Sequence, residues 1–139
     1  MIELSTSEDY KEIVNLGTII NKDFRMLYNK GSLYNEYTKI LTYKIDDKII
    51  AFIQYEELYE TINIINVVVD NDYRKKGIAS LLLNHFLLNV PKKTKNIMLE
   101  VREDNIPAIR LYTKYGFKVI NTRKKYYNDK DAYIMERRI

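Results

Sequence analysis

Val67-Val68-Val69-Asp70-Asn71-Asp72-Tyr73-Arg74-Lys75-Lys76-Gly77-Ile78-Ala79-Ser80-Leu81-Leu82-Leu83 joins a β-branched run to an amphipathic helix through a short basic loop. The valines read as a buried strand, Asp70 to Tyr73 as a turn, and the segment from Gly77 as a helix. The first turn of such a helix has main-chain N–H groups without intrahelical partners, and they sit at the positive end of the helix dipole. That arrangement suits an anion such as a phosphate. Arg74, Lys75 and Lys76 bring cationic side chains to the same place, and Gly77 tolerates a positive φ and lets the main chain approach a ligand. The spacing of a nucleotide-triphosphate loop is missing, and so is that of a dinucleotide fingerprint.

The rest of the chain narrows the chemistry further. Its 139 residues suffice for a single domain spanning 1–139, and 46% apolar with 30% charged residues is the balance of a globular soluble protein. No apolar run approaches the roughly 20 residues that cross a bilayer. The acidic start Met1-Ile2-Glu3-Leu4-Ser5 does not resemble a signal peptide, so a cytoplasmic location is expected. With no cysteine there can be no disulfide, thiolate nucleophile or thiolate-bound zinc, and one histidine argues against a histidine-rich metal site. The net charge of +4 is spread over short basic clusters with acidic residues between them, the pattern of a solvated face rather than a nucleic-acid stripe.

Periodicity predicts the elements in order. Residues 1–5 form a strand, and a helix starting near Ser7 carries Ile13, Val14, Leu16, Ile19 and Ile20. Residues 23–37 are irregular. Strands over 38–45 and 49–58 flank a tight turn at Asp46-Asp47-Lys48, and 61–69 is a central strand buried on both faces. The helix over 77–89 turns Ile78, Leu81, Leu82 and Phe86 inward, with His85 beside them. A strand over 97–103 follows, then a helix capped by Asn105 and stopped by Gly116, then strands over 117–127 and 132–138. The fold class is α/β (α+β): a mixed, mostly antiparallel sheet of six to seven strands flanked by about four helices.

Two motifs in this order give a family resemblance. Arg74-x-x-Gly77-x-Ala79 after the valine strand resembles the acetyl-coenzyme A pyrophosphate loop of the GNAT acyltransferase superfamily. Asn105-x-x-Ala108-x-x-Leu111-Tyr112-x-Lys114-x-Gly116-Phe117 resembles that superfamily's second motif, at the matching distance. Residues 64–136 are also similar to the bacterial ribosomal-protein N-terminal alanine acetyltransferases, through Leu99-Glu100-Val101-Arg102, Tyr126-Tyr127 and Asp131-Ala132-Tyr133-Ile134-Met135. Where that group carries an aromatic-proline-tryptophan segment for acceptor peptide, residues 23–29 have neither Pro nor Trp.

The resemblance implies roles. Acetyl transfer to an amine needs a base, because an α-amine with a pKa near 8 and a lysine near 10.4 are mainly protonated at neutral pH. Glu100 takes that position, with an ion pair to Arg102 or a lysine as its plainer reading. Tyr112 matches the residue that protonates the departing coenzyme A sulfur; otherwise it packs its helix on the sheet. Val67, Val68 and Val69 would offer main-chain N–H groups to the thioester carbonyl. Arg74, Lys75, Lys76, Gly77, Ile78, Ala79, Ser80 and Asn105 would hold the coenzyme, Asn105 also serving as a helix cap. Tyr126 and Tyr127 would line the acceptor cleft. His85 reads as a packing residue, and no metal is called for.

The activity implied is acetyl-CoA-dependent transfer to a primary amine by direct attack in a ternary complex. The acceptor is open between a protein N-terminus and a small amine of polyamine or aminoglycoside type. A coenzyme A-binding sensor without catalysis is the reading from another class, and intact Glu100 and Tyr112 oppose it.

Overall fold

The structure, a computed structural model, describes residues 1–127 and 129–139, the side chains of Tyr126 and Tyr127 excepted. Seven strands form one sheet in the order β1-β2-β3-β4-β5-β7-β6: β1 Ile2–Leu4, β2 Thr38–Ile45, β3 Lys48–Leu58, β4 Thr61–Val69, β5 Asn96–Arg102, β6 Lys118–Tyr127 and β7 Lys130–Arg138. Every neighbouring pair is antiparallel except β4 and β5, which are parallel. A parallel pair needs a crossover, and helix α4 (Ile78–Leu88) supplies it.

The helices divide between the two faces. On one face α1 (Tyr10–Ile20), α2 (Phe24–Leu27) and α3 (Lys30–Leu33) bury Ile13, Val14, Leu16, Phe24 and Leu33 against Ile40, Phe52 and Val68. On the other, α4 and α5 (Ile106–Lys114) bury Ile78, Leu82, Phe86 and Tyr112 against Ile53, Ile62, Leu99 and Met135. The mixed, mostly antiparallel sheet is as the sequence predicts, at the upper strand count. The stretch read as irregular, 23–37, contains the two single-turn helices α2 and α3. Leu81 is a correction: it is 52% exposed and Leu83 is buried in its place. The buried stripe of α4 runs through Ile78, Leu82 and Phe86 and leans toward Leu83, which turns Leu81 out.

Punctuation agrees with the residues chosen for it. Asn105 caps α5, its Oδ1 accepting from the Ala108 N–H at 3.3 Å, and Gly116 ends the helix region at φ +89. Gly17 is different, because its constraint is space. A Cβ there would stand 2.7 Å from the ring of Phe24, which is 1% exposed and packs on Phe52 and Tyr28.

Alanine in place of glycine inside a helix ordinarily stabilises by about 1 kcal/mol. Here overpacking, worth about 1–3 kcal/mol, should win. Gly17→Ala is expected to lower the denaturant midpoint, measured by equilibrium urea unfolding with unchanged slope.

Candidate functional site

Pairing between β4 and β5 is short. It runs from Thr61 opposite Asn96 to Ile64 opposite Leu99 and stops there, so the C-terminal ends of both strands diverge. At the same level the β3–β4 register slips: Gln54 faces Asn66 while Tyr55 faces Ile64, which leaves Ile65 as the extra residue of a bulge. One extra residue exchanges the two faces of the strand beyond it. Ile62 and Ile64 pack with the α4 core, and after the bulge Val67 and Val69 do so as well, while Val68 joins the α1 core.

The bulge also decides which main-chain groups look into the seam. Asp70 donates its N–H to the Ile50 carbonyl at 2.8 Å, so by alternation Val68 and Asn66 exchange bonds with β3. Val67 and Val69 therefore turn their N–H and C=O groups toward β5, where pairing has ended. Of the three valines expected at the thioester, these two face the seam. Val68 does not: its side chain is 1% exposed in the core and its main chain faces β3.

On the α1–α2 face the seam opens into a cleft of about 610 Å³, with Asn63 and Asn66 from β4, Glu100 from β5, Arg123 from β6, and Leu27 and Tyr28 at the end of α2. Asn66 is held by its amide, Nδ2 donating to Gln54 Oε1 at 2.8 Å. Glu100 stands opposite Ile134, which stands opposite Asn121, and Arg123 stands opposite Ala132. The pleat puts all of these on the face away from Leu99 and Met135. Arg123 thus reaches diagonally across β7, and its Nη2 lies 2.9 Å from Glu100 Oε1. The plainer reading of Glu100, an ion pair with Arg102 or a lysine, has the wrong partner: the pair is with Arg123, and Arg102 binds Asp104 at 2.7 and 2.9 Å.

At the C-terminal end of β4 a 3₁₀ turn, Asn71–Tyr73, is fastened by Asp70 Oδ1 accepting from the Asp72 N–H at 3.0 Å. The chain then passes Lys75 at φ +62 and Gly77 at φ +77 before α4 begins. A Cβ on Gly77 would meet nothing within 4 Å, so backbone conformation rather than crowding calls for glycine. Leu81 is the first residue to bond back, to the Gly77 carbonyl at 3.0 Å, leaving the N–H groups of Ile78, Ala79 and Ser80 at the helix mouth. Arg74, Lys75 and Lys76 are exposed around it, with Arg74 Nε donating to the Val69 carbonyl at 3.3 Å. The Ile78 side chain belongs to the core, and the Ser80 hydroxyl is bonded to that of Tyr115, tying α4 to α5.

Tyr112 is 8% exposed in the core under α5, its ring 5.8 Å from that of Phe117. Burial pushes its phenol up to about 12, as it does for Tyr55 of β3. His85 does not join the cleft. It lines a separate, largely apolar cavity of about 340 Å³, with Nδ1 buried and without a partner among the described residues. Tyr126 and Tyr127 fall on β6, but their side chains lie outside the described residues. Among the described residues no group of carboxylates and histidines is placed to hold a metal, and no helix is long and apolar enough to cross a membrane.

Sequence reasoning missed Arg123, which it left in a solvated basic cluster, and the amides Asn63 and Asn66. Asn63 and Asn66 did carry a signal. Two polar residues three apart in a β-branched strand can share a face only if a bulge lies between them.

The acetyltransferase (GNAT) family profile matches residues 8–117. An N-alpha-acetyltransferase of Saccharolobus solfataricus is 41% identical over 78 residues, 54% of this chain and 47% of that protein, so the match spans about half the length of that relative. A ribosomal protein bS18-alanine N-acetyltransferase of Haemophilus ducreyi is 32% identical over 126 residues, 79% of this chain and 86% of that protein. The crystal structure of the ribosomal-protein-S18-alanine N-acetyltransferase from Escherichia coli superposes with a TM-score of 0.85 at 25% identity, covering 100% of this chain and 94% of that one.

The raised phenols fix the sign of an alkaline effect. Tyr55 and Tyr112 keep their protons in the folded state up to about 12, whereas the unfolded chain loses them near 10. Stability is therefore full below pH 10 and falls as pH rises from about 10 to 12. Urea midpoints measured at pH 9 and pH 11 should drop, and Tyr55→Phe should make the drop smaller.

Proposed function

The chain belongs to the acetyltransferase (GNAT) family, and from that premise we propose that it transfers the acetyl group of acetyl-CoA to a primary amine, by direct attack in a ternary complex. The observation that carries this reading is the open β4–β5 seam. Main-chain amides of Val67 and Val69 face it from one side, Glu100 stands on the other, and the Gly77 head of α4 lies at its end. The N–H groups of Ile78, Ala79 and Ser80, with Arg74, Lys75 and Lys76, supply what the coenzyme pyrophosphate requires.

Each residue then has a defined task. Glu100, directly or through a water, takes the proton that the ammonium must shed. The amine nitrogen forms a bond to the thioester carbonyl carbon, whose oxygen gains negative charge and is met by N–H groups of the seam. The carbon–sulfur bond breaks, and the sulfur takes the electron pair. Overall, an ammonium and acetyl-CoA become an acetamide, free coenzyme A thiol and one proton. Tyr112 stands on the α4–α5 side, where its phenol stays protonated. With that phenol near 12 and a thiol near 8.5, full transfer to a free thiolate would be uphill by about 5 kcal/mol. Its contribution is hydrogen-bond donation as the sulfur charge develops, and solvent completes the protonation.

A protein N-terminus is the acceptor that the cleft supports best. The cleft opens on the α1–α2 face beside Tyr28 and Leu27, the latter 58% exposed, a rim suited to a chain laid across it. The relatives named N-alpha-acetyltransferase and bS18-alanine N-acetyltransferase favour the same class. The absence of Pro and Trp from residues 23–29 favours a small amine instead.

Thiol release from acetyl-CoA, measured with free-N-terminus alanine peptides, spermidine and an aminoglycoside, separates these acceptors. Peptide turnover should exceed that of either amine at least tenfold; the reverse ranking would assign a small amine. Tyr112→Phe should cut kcat at least tenfold while coenzyme binding stays within twofold, and an equal loss of binding would leave Tyr112 a packing residue alone.

Gly77→Val forces a β-branched residue into the left-handed region at the head of α4. Isothermal titration should show at least a tenfold weaker coenzyme A affinity in a protein that still melts cooperatively. Retained affinity would remove the loop from the coenzyme site.

A further inference from the structure

Glu100 and Arg123 are the two charged side chains among the described residues lining the cleft, and they are bound to each other. An ion pair with side chains 30% and 48% exposed adds little to stability. Its geometry is more telling than its strength. Glu100 sits where β5 has lost its β4 partner, so on that flank no neighbouring strand confines its side chain. A glutamate on an open seam samples several rotamers, and a base must be held near one geometry to act. The contact that holds it comes from two strands away, over Ala132 and Ile134 of β7, and occupies Oε1.

We propose that Arg123 is a positioning residue for acetyl transfer: its guanidinium holds the Glu100 carboxylate in one rotamer at the cleft, leaving Oε2 to meet the amine proton. This rests on the reading of Glu100 as the base. A fixed guanidinium also places a positive charge beside the carboxylate, which makes the pair a poor resting place for a second cation. An arriving ammonium is then passed toward the thioester rather than trapped as a salt bridge.

Four variants assayed with acetyl-CoA and the free-N-terminus alanine peptide, or spermidine if that turns over faster, test the assignment. Arg123→Gln should lower kcat about tenfold, with KM for acetyl-CoA within twofold and the thermal midpoint within about 4 °C. Arg123→Lys, which keeps a cationic donor, should recover at least a third of the lost kcat. Glu100→Gln should lose about a hundredfold, and Glu100→Gln combined with Arg123→Gln should lose no more than Glu100→Gln alone, because a positioning residue has nothing left to position. Wild-type kcat in Arg123→Gln, or losses that multiply in the double variant, would overturn the positioning role and leave Glu100 as the base. Wild-type kcat in Glu100→Gln would instead remove the base itself, a distinct result.

Discussion

Four residue pairs hold β4 to β5, and then the ladder ends. The cleft and the strand amides that face it both depend on that interruption. A parallel pair continued to Val69 would consume the main-chain amides that now face the seam, and would fill the space occupied by the cleft. The bulge at Ile65 is the companion device, because it turns the strand so that Val67 and Val69 carry their side chains to the α4 core while Asn66 joins Asn63 on the other face. A single extra residue thus lets one strand serve a hydrophobic core, a polar cleft floor and two amides, those of Val67 and Val69, that face the open seam. The cost in lost ladder bonds is carried by the neighbours: β3 stays paired with β4 on one side, and β7 with β5 over its full length on the other.

Charge is sorted along the seam into two separate places. The basic residues Arg74, Lys75 and Lys76 collect at the head of α4, beyond the end of β4, where helix dipole and side chains act in the same sense. Among the described residues lining the cleft, Glu100 is the single carboxylate; it lies on the opposite face and is balanced by a guanidinium. The buried phenol of Tyr112 stays neutral under α5, where a charged donor would be expensive.

How far these features were legible from residues alone depended on whether they were local. The start of α4, the cap at Asn105 and the stop at Gly116 are written in single residues and their neighbours, and each agrees with the sequence reading. Strand 38–45 follows from alternation and strand 61–69 from β-branched content, but the second face of the latter, expected to be buried, lines the cleft through Asn63 and Asn66. Leu81 was misplaced because a helix with leucines at three successive positions does not say where its apolar stripe is centred. Sequence does not show which way a main-chain amide points, so the place of Val68 away from the seam becomes legible only with the Asp70–Ile50 bond. Arg123 was the least legible. Its approach to Glu100 depends on β7 lying between β5 and β6, an order fixed by pairing between residues far apart in the chain.

The same strand order leaves β1 and β6 at the margins of the sheet. β1 is only three residues long, but β6 has ten, enough to recruit a strand from another molecule. Its register with β7 slips twice, between Val119 and Asn121 and between Arg123 and Tyr127, and it carries Lys118, Arg123, Lys124 and Lys125. Arg123 and Lys124 are balanced by Glu100 and Asp131, so the broken register and the exposed lysine side chains make that margin a poor template for a second copy, even though Val119 and Ile120 are about half exposed. The basic character of β6, plain solvation in the sequence, thus disfavours edge-to-edge pairing at that margin.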